Sequence, residues 1–282
     1  MGMKDDLIDQ NQELIHLALK EDIGAGDITT NALIPSEITA AGVIFAKEPL
    51  ILAGLSVARA VFTAIDPAAS FDTAFKDGDR VDSNEDILTV EGTLRALLTG
   101  ERTALNFLQR LSGIATNTRK YVDVVAGTGV RLTDTRKTTP GWRSLEKYAV
   151  RVGGAHNHRF GLYDAVLIKD NHIAACGGIR EAMAKVGRYR DPSRPIEVEV
   201  SDLPQVNEAL ESGADIIMLD NMDLTDIRKA IEIVRGRALT EVSGGVTLDT
   251  LSEIAETGVD IVSVGALTHS ARAVDISMRL VA

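Results

Sequence analysis

The sequence predicts an α/β protein whose C-terminal half is an α/β barrel and whose N-terminal part is a smaller α+β domain. Three observations carry this reading. From about Val130 onward, strand-like apolar runs are each followed by a helical stretch, and several of these runs are apolar at nearly every position, as parallel strands buried on both faces should be. The later units recur about every 22 residues. No glycine fingerprint with a following ribose-binding acid appears after the first of these strands, which favours a barrel over an open doubly wound sheet. A chain of 282 residues accommodates one barrel and one smaller domain.

Taken in order, Leu7 to Lys20 reads as an amphipathic helix, and Glu21 to Thr30 as a loop, because two glycines and three acids interrupt any apolar period. Alternating runs at Ala41 to Ala46 and Asp86 to Val90 read as strands, with Ala53 to Ile65 helical between them and a turn at Asp77-Gly78-Asp79. Leu94 to Ser112 forms a long helix carrying Leu97, Leu98, Leu105, Leu108 and Leu111 on or near one face. The barrel strands are then Val130 to Thr133, Ala165 to Ile168, Ile196 to Val200, Ile216 to Leu219, Leu239 to Val242 and Ile261 to Val264. Helices are expected at Gly178 to Val186, Leu203 to Glu211, Leu224 to Val234 and Leu248 to Glu256.

Composition narrows the function. Apolar residues make up 45% of the chain and charged residues 25%, so a sizeable core is expected. The single Cys176 forms neither an internal disulfide nor a thiolate cage, which points to a reducing compartment, the cytoplasm. The start, Met1-Gly2-Met3-Lys4-Asp5-Asp6, leads into no apolar signal region, and Asp6 stands where a myristoylation signal needs Ser or Thr. No apolar run approaches the roughly 18 residues that a membrane span requires. A net charge of −11 makes nucleic acid a poor partner. Against that background, Arg131 to His172 holds eight Lys or Arg, four Asp or Glu and three His, a locally positive stretch in an acidic protein.

Barrel chemistry sits at the C-terminal strand ends. Those ends carry Asp134-Thr135-Arg136-Lys137, Lys169-Asp170-Asn171-His172, Glu199, Asp220-Asn221, Ser243-Gly244-Gly245 and Gly265. Arg136, Lys137, Arg159 and Lys169, joined by His158, are placed to share one rim, and several cations in one cleft imply a polyanionic ligand. Glu199 and Asp220 lie one βα unit apart; they suit Mg²⁺ ligation or hydrogen bonding to sugar hydroxyls, the alternative being simple pairing with the rim lysines. Ser243-Gly244-Gly245 and Gly265 suit phosphate binding through backbone N–H groups, although a glycine after a strand is more often only a turn. His269 follows closely and on this reading alone is structural. No Ser–His–acid or Cys–His arrangement is evident, and His156, His158 and His172 lack the spacing of a zinc helix motif. A Schiff base on Lys169 remains a second possibility on physical grounds.

The motifs Thr133-Asp134-Thr135-Arg136-Lys137-Thr138-Thr139-Pro140-Gly141, Leu145-Glu146-Lys147-Tyr148-Ala149-Val150, Asn157-His158-Arg159-Phe160-Gly161-Leu162-Tyr163-Asp164 and Ile168-Lys169-Asp170-Asn171-His172 closely resemble the central block of quinolinate phosphoribosyltransferases. Glu101-Arg102-Thr103-Ala104-Leu105-Asn106, Glu197-Val198-Glu199-Val200, Leu219-Asp220-Asn221 and Ser243-Gly244-Gly245 extend the likeness along nearly the whole chain. Ala155-His156 and the bulky Trp142 depart from the pattern without removing a charged group.

The resemblance implies transfer of phosphoribose from 5-phosphoribosyl-1-pyrophosphate to quinolinate with decarboxylation, giving nicotinate mononucleotide. It implies that Arg136, His158, Arg159 and Lys169 bind the quinolinate carboxylates, with Arg102 supplied by a neighbouring subunit. Glu199 and Asp220 would serve the ribose and Mg²⁺, Lys137 the pyrophosphate, and Ser243, Gly244, Gly245, Gly265 and His269 the phosphate; Lys137, Lys169, Glu199 and Asp220 are the expected catalytic set. The implied fold is an incomplete, TIM-like α/β barrel (residues 114–269) beside an N-terminal α/β sandwich (1–113) completed by the tail 270–282. The implied assembly is a homodimer, with a hexamer as a trimer of dimers its extension. The competing expectations are a paralogue associated with molybdenum transport, a Lys169 Schiff-base aldolase and a non-catalytic sensor of anionic metabolites.

Overall fold

The structure, a computed structural model, describes residues 3–188, 191 and 194–281. Met1, Gly2 and Ala282, which the readings of the two termini include, lie outside the described residues. Two compact units emerge: Met1–Arg119 with Thr138–Gly154 and Leu267–Ala282, and Lys120–Lys137 with Ala155–Ala266.

The first unit opens with α1 (Met3–Ile23) and α2 (Ile28–Leu33), followed by β1 (Thr39–Ala46), β2 (Leu50–Ile51), α3 (Leu55–Ile65), β3 (Ser70–Asp72), β4 (Arg80–Val81), β5 (Asp86–Thr93) and α4 (Leu94–Val124). The segment read as a loop at Glu21 to Thr30 is therefore partly helical: α1 runs to Ile23, and Asp27 caps α2 by accepting the Thr30 N–H at 2.9 Å. A six-residue helix is too short to display an apolar period. Near the C-terminus, β12 (Ile276–Val281) pairs antiparallel with β1, giving a four-stranded sheet in the order β12-β1-β5-β3. Ile44, Ile87, Val90, Phe62, Leu97 and Leu108 are fully buried in this unit.

Helix α4 continues well past Ser112, because Ile114, Ala115 and Tyr121 keep burying the same side of the helix. α4 therefore runs through residue 113, and the first compact unit reaches Arg119. Thr138–Gly154, assigned by sequence to the barrel, holds α5 (Arg143–Gly153) and joins the first unit through specific contacts. Trp142 stacks on Phe107 with ring centroids 4.7 Å apart, Ser144 donates to Asn11 at 2.6 Å, and Tyr148 donates to Asp77 at 2.6 Å. Glu146, fully buried, accepts from Arg110 at 2.8 Å and from both the N–H and the hydroxyl of Thr139. A buried carboxylate is tolerated when its lone pairs are satisfied in this way.

The second unit is barrel-like. Strands β6 (Arg131–Thr133), β7 (Val166–Ile168), β8 (Ile196–Val200), β9 (Ile216–Asp220), β10 (Leu239–Ser243) and β11 (Ile261–Ser263) match the six expected runs to within a residue or so. They form one parallel sheet in the order β6-β11-β10-β9-β8-β7, with β6 and β7 as its edges. Between the strands run α6 (Asp170–Cys176), α7 (Ile179–Gly187), α8 (Leu203–Glu211), α9 (Leu224–Val234) and α10 (Leu248–Ala255), and α11 (Ala266–His269) follows β11. Asp202, Asp223 and Thr247 cap α8, α9 and α10, which sets where each strand-end loop stops. Among the described residues no helix is long and apolar enough to cross a membrane.

Candidate active site

The second unit contains a cavity of about 490 Å³ at the C-terminal ends of its strands. Its cationic side is built by a splice beside β6. His156 bridges to Thr133 in parallel fashion, donating to the Leu132 carbonyl at 2.9 Å, while Asp134 donates its N–H back to the His156 carbonyl at 3.1 Å. The fully buried Asp134 carboxylate then accepts the His158 N–H at 2.9 Å and the Asn157 side-chain amide at 2.7 Å. This clamp sets His158 and Arg159 against Arg136 and Lys137, all four of them lining the cavity. Burial, then the neighbouring Arg136 charge, holds Arg159 below the ordinary range of a guanidinium, against the opposing pull of Glu197 and Asp164. Mutual repulsion of this kind is relieved by an anion.

Lys169, just beyond β7, enters the cavity with its Nζ 3.5 Å from Glu199 Oε2. The lysine side chain is 46% exposed and the glutamate 15%, so the pair contributes little stability and stays open to a ligand. Its backbone N–H donates to His172 Nδ1 at 3.1 Å, which fixes the turn into α6. Asp220, at the end of β9, accepts from the Asn221 side chain at 2.9 Å, and Asn221 sits in the left-handed region at φ 54°. Ser243 lies beside Asp220 across the β9–β10 ladder. Gly244, at φ 88°, passes so near Asn221 that a Cβ there would fall 2.3 Å from Asn221 Oδ1, so only glycine fits.

The structure thus gathers Arg136, Lys137, His158, Arg159, Lys169, Glu199, Asp220, Ser243, Gly244 and Gly245 around one cavity. It does not gather the rest of the expected set there. Gly265 precedes α11 outside the cavity lining. His269 ends α11 in the first unit, 2.8 Å from the Ser270 hydroxyl, and Arg102, on α4 of the first unit, lines a different cavity of about 650 Å³ with Asp22 and Asp27.

Two groups escaped the reading of the strand ends. Glu197 on β8 and Glu241 on β10, 4% and 1% exposed, stand two residues before Glu199 and Ser243 and so face the same side of the sheet. His158 Nε2 lies 3.1 Å from Glu197 Oε2 and 3.4 Å from Glu241 Oε1. Burial opposes charge on this ring, but hydrogen bonds to the two acids and their charge outweigh it and push the His158 pKa up to about 10. Burial in turn pushes the Glu197 carboxyl up, countered by its hydrogen bond to His158. The signal was available in the period-two alternation of each strand, which places a second inward layer below the strand ends.

Known proteins resemble the chain throughout. Residues 27–112 match the N-terminal domain, and 114–279 the C-terminal domain, of quinolinate phosphoribosyl transferase. A probable nicotinate-nucleotide pyrophosphorylase [carboxylating] of Bacillus subtilis (strain 168) is 44% identical over 269 residues, covering 95% of this chain and 93% of its own. The corresponding Mycobacterium leprae (strain TN) protein is 44% identical over 278 residues, covering 96% and 98%. The crystal structure of NadC from Streptococcus pyogenes superposes with a TM-score of 0.94 at 46% identity, covering 97% of both chains. With both domains matched in order and the cationic and acidic groups assembled in one cavity, the chain belongs to the quinolinate phosphoribosyltransferase family.

Proposed function

We propose that the protein is a carboxylating nicotinate-nucleotide pyrophosphorylase of NAD biosynthesis. It transfers phosphoribose from 5-phosphoribosyl-1-pyrophosphate to quinolinate, releasing pyrophosphate and CO₂ and giving nicotinate mononucleotide. One observation carries the reading: a cluster of Arg136, Lys137, His158, Arg159 and Lys169 faces, within one cavity, the carboxylates of Glu199 and Asp220 from neighbouring strand ends. The first group suits a dicarboxylate and a pyrophosphate. The second suits ribose hydroxyls. The relatives favour this reading over the molybdenum-associated paralogue, the Lys169 aldolase and the metabolite sensor.

The chemistry asks for placement and charge. Quinolinate attacks through a pyridine nitrogen whose lone pair needs no base to free it, and the C–O bond to pyrophosphate breaks as the C–N bond forms. Lys137 and the backbone beyond β10 face the leaving group, which a positive charge stabilises. Once the ring nitrogen is quaternary, its positive charge stabilises the electron pair left on the adjacent ring carbon as CO₂ departs, and a proton then replaces the lost carboxylate. Arg136, Arg159 and Lys169 hold the dicarboxylate so that nitrogen and sugar carbon meet.

The two carboxylates fit a hard cation, since both offer oxygen to the open cavity and Mg²⁺ prefers oxygen ligands. Glu199 and Asp220 would hold Mg²⁺, which supplies charge neutralisation on the departing pyrophosphate. Ultraviolet detection of nicotinate mononucleotide from the two substrates, with Mg²⁺ or with EDTA, tests the proposal. Product is expected only with Mg²⁺; folded protein that binds quinolinate without forming product would refute it.

The assembly we propose is a cytoplasmic homodimer, extending to a trimer of dimers, in which Arg102 serves the neighbouring subunit's cavity. On this arrangement Arg102→Ala and Arg159→Ala are each inactive alone, and mixing them restores one site per hybrid dimer, up to about a quarter of all sites. Absence of rescue after verified subunit exchange would remove Arg102 from the site.

A further inference from the structure

His158 separates two spaces. Above it is the cavity at the strand ends; below it is a smaller one of about 180 Å³, lined from the strand beginnings by Arg131, Val166, Ile216 and Ile261 as well as by Glu197 and Glu241. A family dicarboxylate site explains why a histidine lines the upper cavity. It does not explain why two acids are buried beneath that histidine, where each carboxylate costs several kcal/mol to desolvate unless a cation compensates it.

We infer that Glu197 and Glu241 are positioning residues for substrate recognition: from two non-adjacent strands they grip His158 Nε2 and keep the ring cationic, so that the cavity floor presents fixed positive charge to a carboxylate of quinolinate. This inference rests on the placement of quinolinate proposed above. The geometry argues for it directly. Glu197 Oε2, 3.1 Å from Nε2, is placed to accept its hydrogen, Glu241 Oε1 at 3.4 Å adds negative charge beside it, and a second proton on Nδ1 gives the ring the charge that offsets the acids. The raised His158 pKa agrees in direction. The other charged groups around the ring act on it from every side: Asp134, just after β6, holds its backbone N–H, Arg131 lines the lower cavity, Arg159 lines both, and Arg136, Lys137, Lys169, Glu199 and Asp220 line the upper one. β7, β9 and β11 contribute the apolar Val166, Ile216 and Ile261. The four cations lining the upper cavity, Arg136, Lys137, Arg159 and Lys169, disfavour a charged ring, so a single acid would be a weak hold and two are placed there.

The consequence is a ring whose charge does not vary across the neutral range, where a free histidine with a pKa of about 6.5 would lose it. Nitrogen-15 spectra of the wild-type protein labelled at its five histidines test this without any variant. One imidazolium is expected to persist at about pH 8.5, assigned through its absence in His158→Asn; a neutral His158 at that pH would overturn the inference. In the second arm, the dissociation constant of quinolinate is measured for Glu197→Gln, Glu241→Gln and the double variant at about pH 6 and about pH 8.5, relative to wild type at each pH. The double variant should bind about tenfold or more weakly at the higher pH and recover most of the loss at the lower, with the KM for 5-phosphoribosyl-1-pyrophosphate little changed. Equal losses at both pH values would make the acids merely structural and sink the proposal. His158→Asn separates the two layers of argument: unaltered quinolinate affinity there refutes the substrate placement itself, whereas lost affinity there with unimpaired Gln variants refutes only the role of the acids.

Discussion

Lys169→Ala is expected to lower kcat/KM for nicotinate mononucleotide formation by about two to three orders of magnitude. The side chain has two effects in one place: it supplies positive charge within a cavity that must receive a dicarboxylate, and it lies 3.5 Å from Glu199 Oε2. Its removal deprives the substrate of a point charge and leaves the Glu199 carboxylate facing the incoming anion, so repulsion replaces attraction. Both losses apply to quinolinate binding and to orientation of its ring, so KM should rise and kcat fall together. Lys169→Arg keeps the charge but presents a planar fork in place of a compact ammonium, and it should recover only part of the activity. Steady-state kinetics of the three proteins check this. An alanine variant within tenfold of wild type would take Lys169 out of the substrate site.

The second large effect falls on stability. Gly113 sits inside α4, where a glycine costs about 1 kcal/mol relative to alanine in an unconstrained helix. Its position has a steric reason: a Cβ built there would lie 2.1 Å from the Arg272 carbonyl oxygen and 3.1 Å from Ala273 Cα, both backbone atoms. The strand of chain that it meets is tied to α4 by Val274 N–H to the Gln109 carbonyl at 3.1 Å, Gln109 Nε2 to the Ile276 carbonyl at 2.8 Å and Arg110 Nη1 to the Ala271 carbonyl at 2.7 Å. Gly113→Ala must shift this segment and break several of these bonds at once. A loss of about 3 kcal/mol or more is expected, seen as a fall of about 10 °C in Tm. Gly127→Ala is the control; its φ of 80° strains an alanine but no atom lies within 4 Å, so it should cost about 1 kcal/mol. Equal effects of the two substitutions would show that α4 does not depend on that close approach.

How far the fold was legible follows from these contacts. Several of the six parallel strands announce themselves because burial on both faces leaves them largely apolar, a local property of the chain. The strand-end cations and acids are legible for the same reason, since polar residues closing apolar runs stand out. The pairs β2, β3 and β4 are two or three residues long and owe their existence to pairing partners elsewhere in the chain, which no local pattern announces. The Ser112-Gly113 step reads as the end of a helix, yet α4 continues, because the glycine answers to the Arg272 carbonyl and not to helix termination. Glu197 and Glu241 lie within strand runs, where an acid looks like an outward-facing residue until the direction of each side chain is known. The placement of Thr138–Gly154 was hidden for a further reason: its partners, Asn11, Asp77, Phe107 and Arg110, are spread over a hundred residues of earlier chain.

The pairing of β12 with β1 has a consequence for how the protein is made. Ala46 lies in register with Ile276, so one edge of the four-stranded sheet waits for chain synthesised more than 200 residues later. At the usual pace of translation that interval is on the order of ten seconds or more, and throughout it β1, paired on one side with β5, keeps its other edge open. The strands of the barrel-like unit all lie within the intervening sequence, so every one of them is made before β12. The sheet of the leading segment, begun first, is thus the one whose final strand is made last.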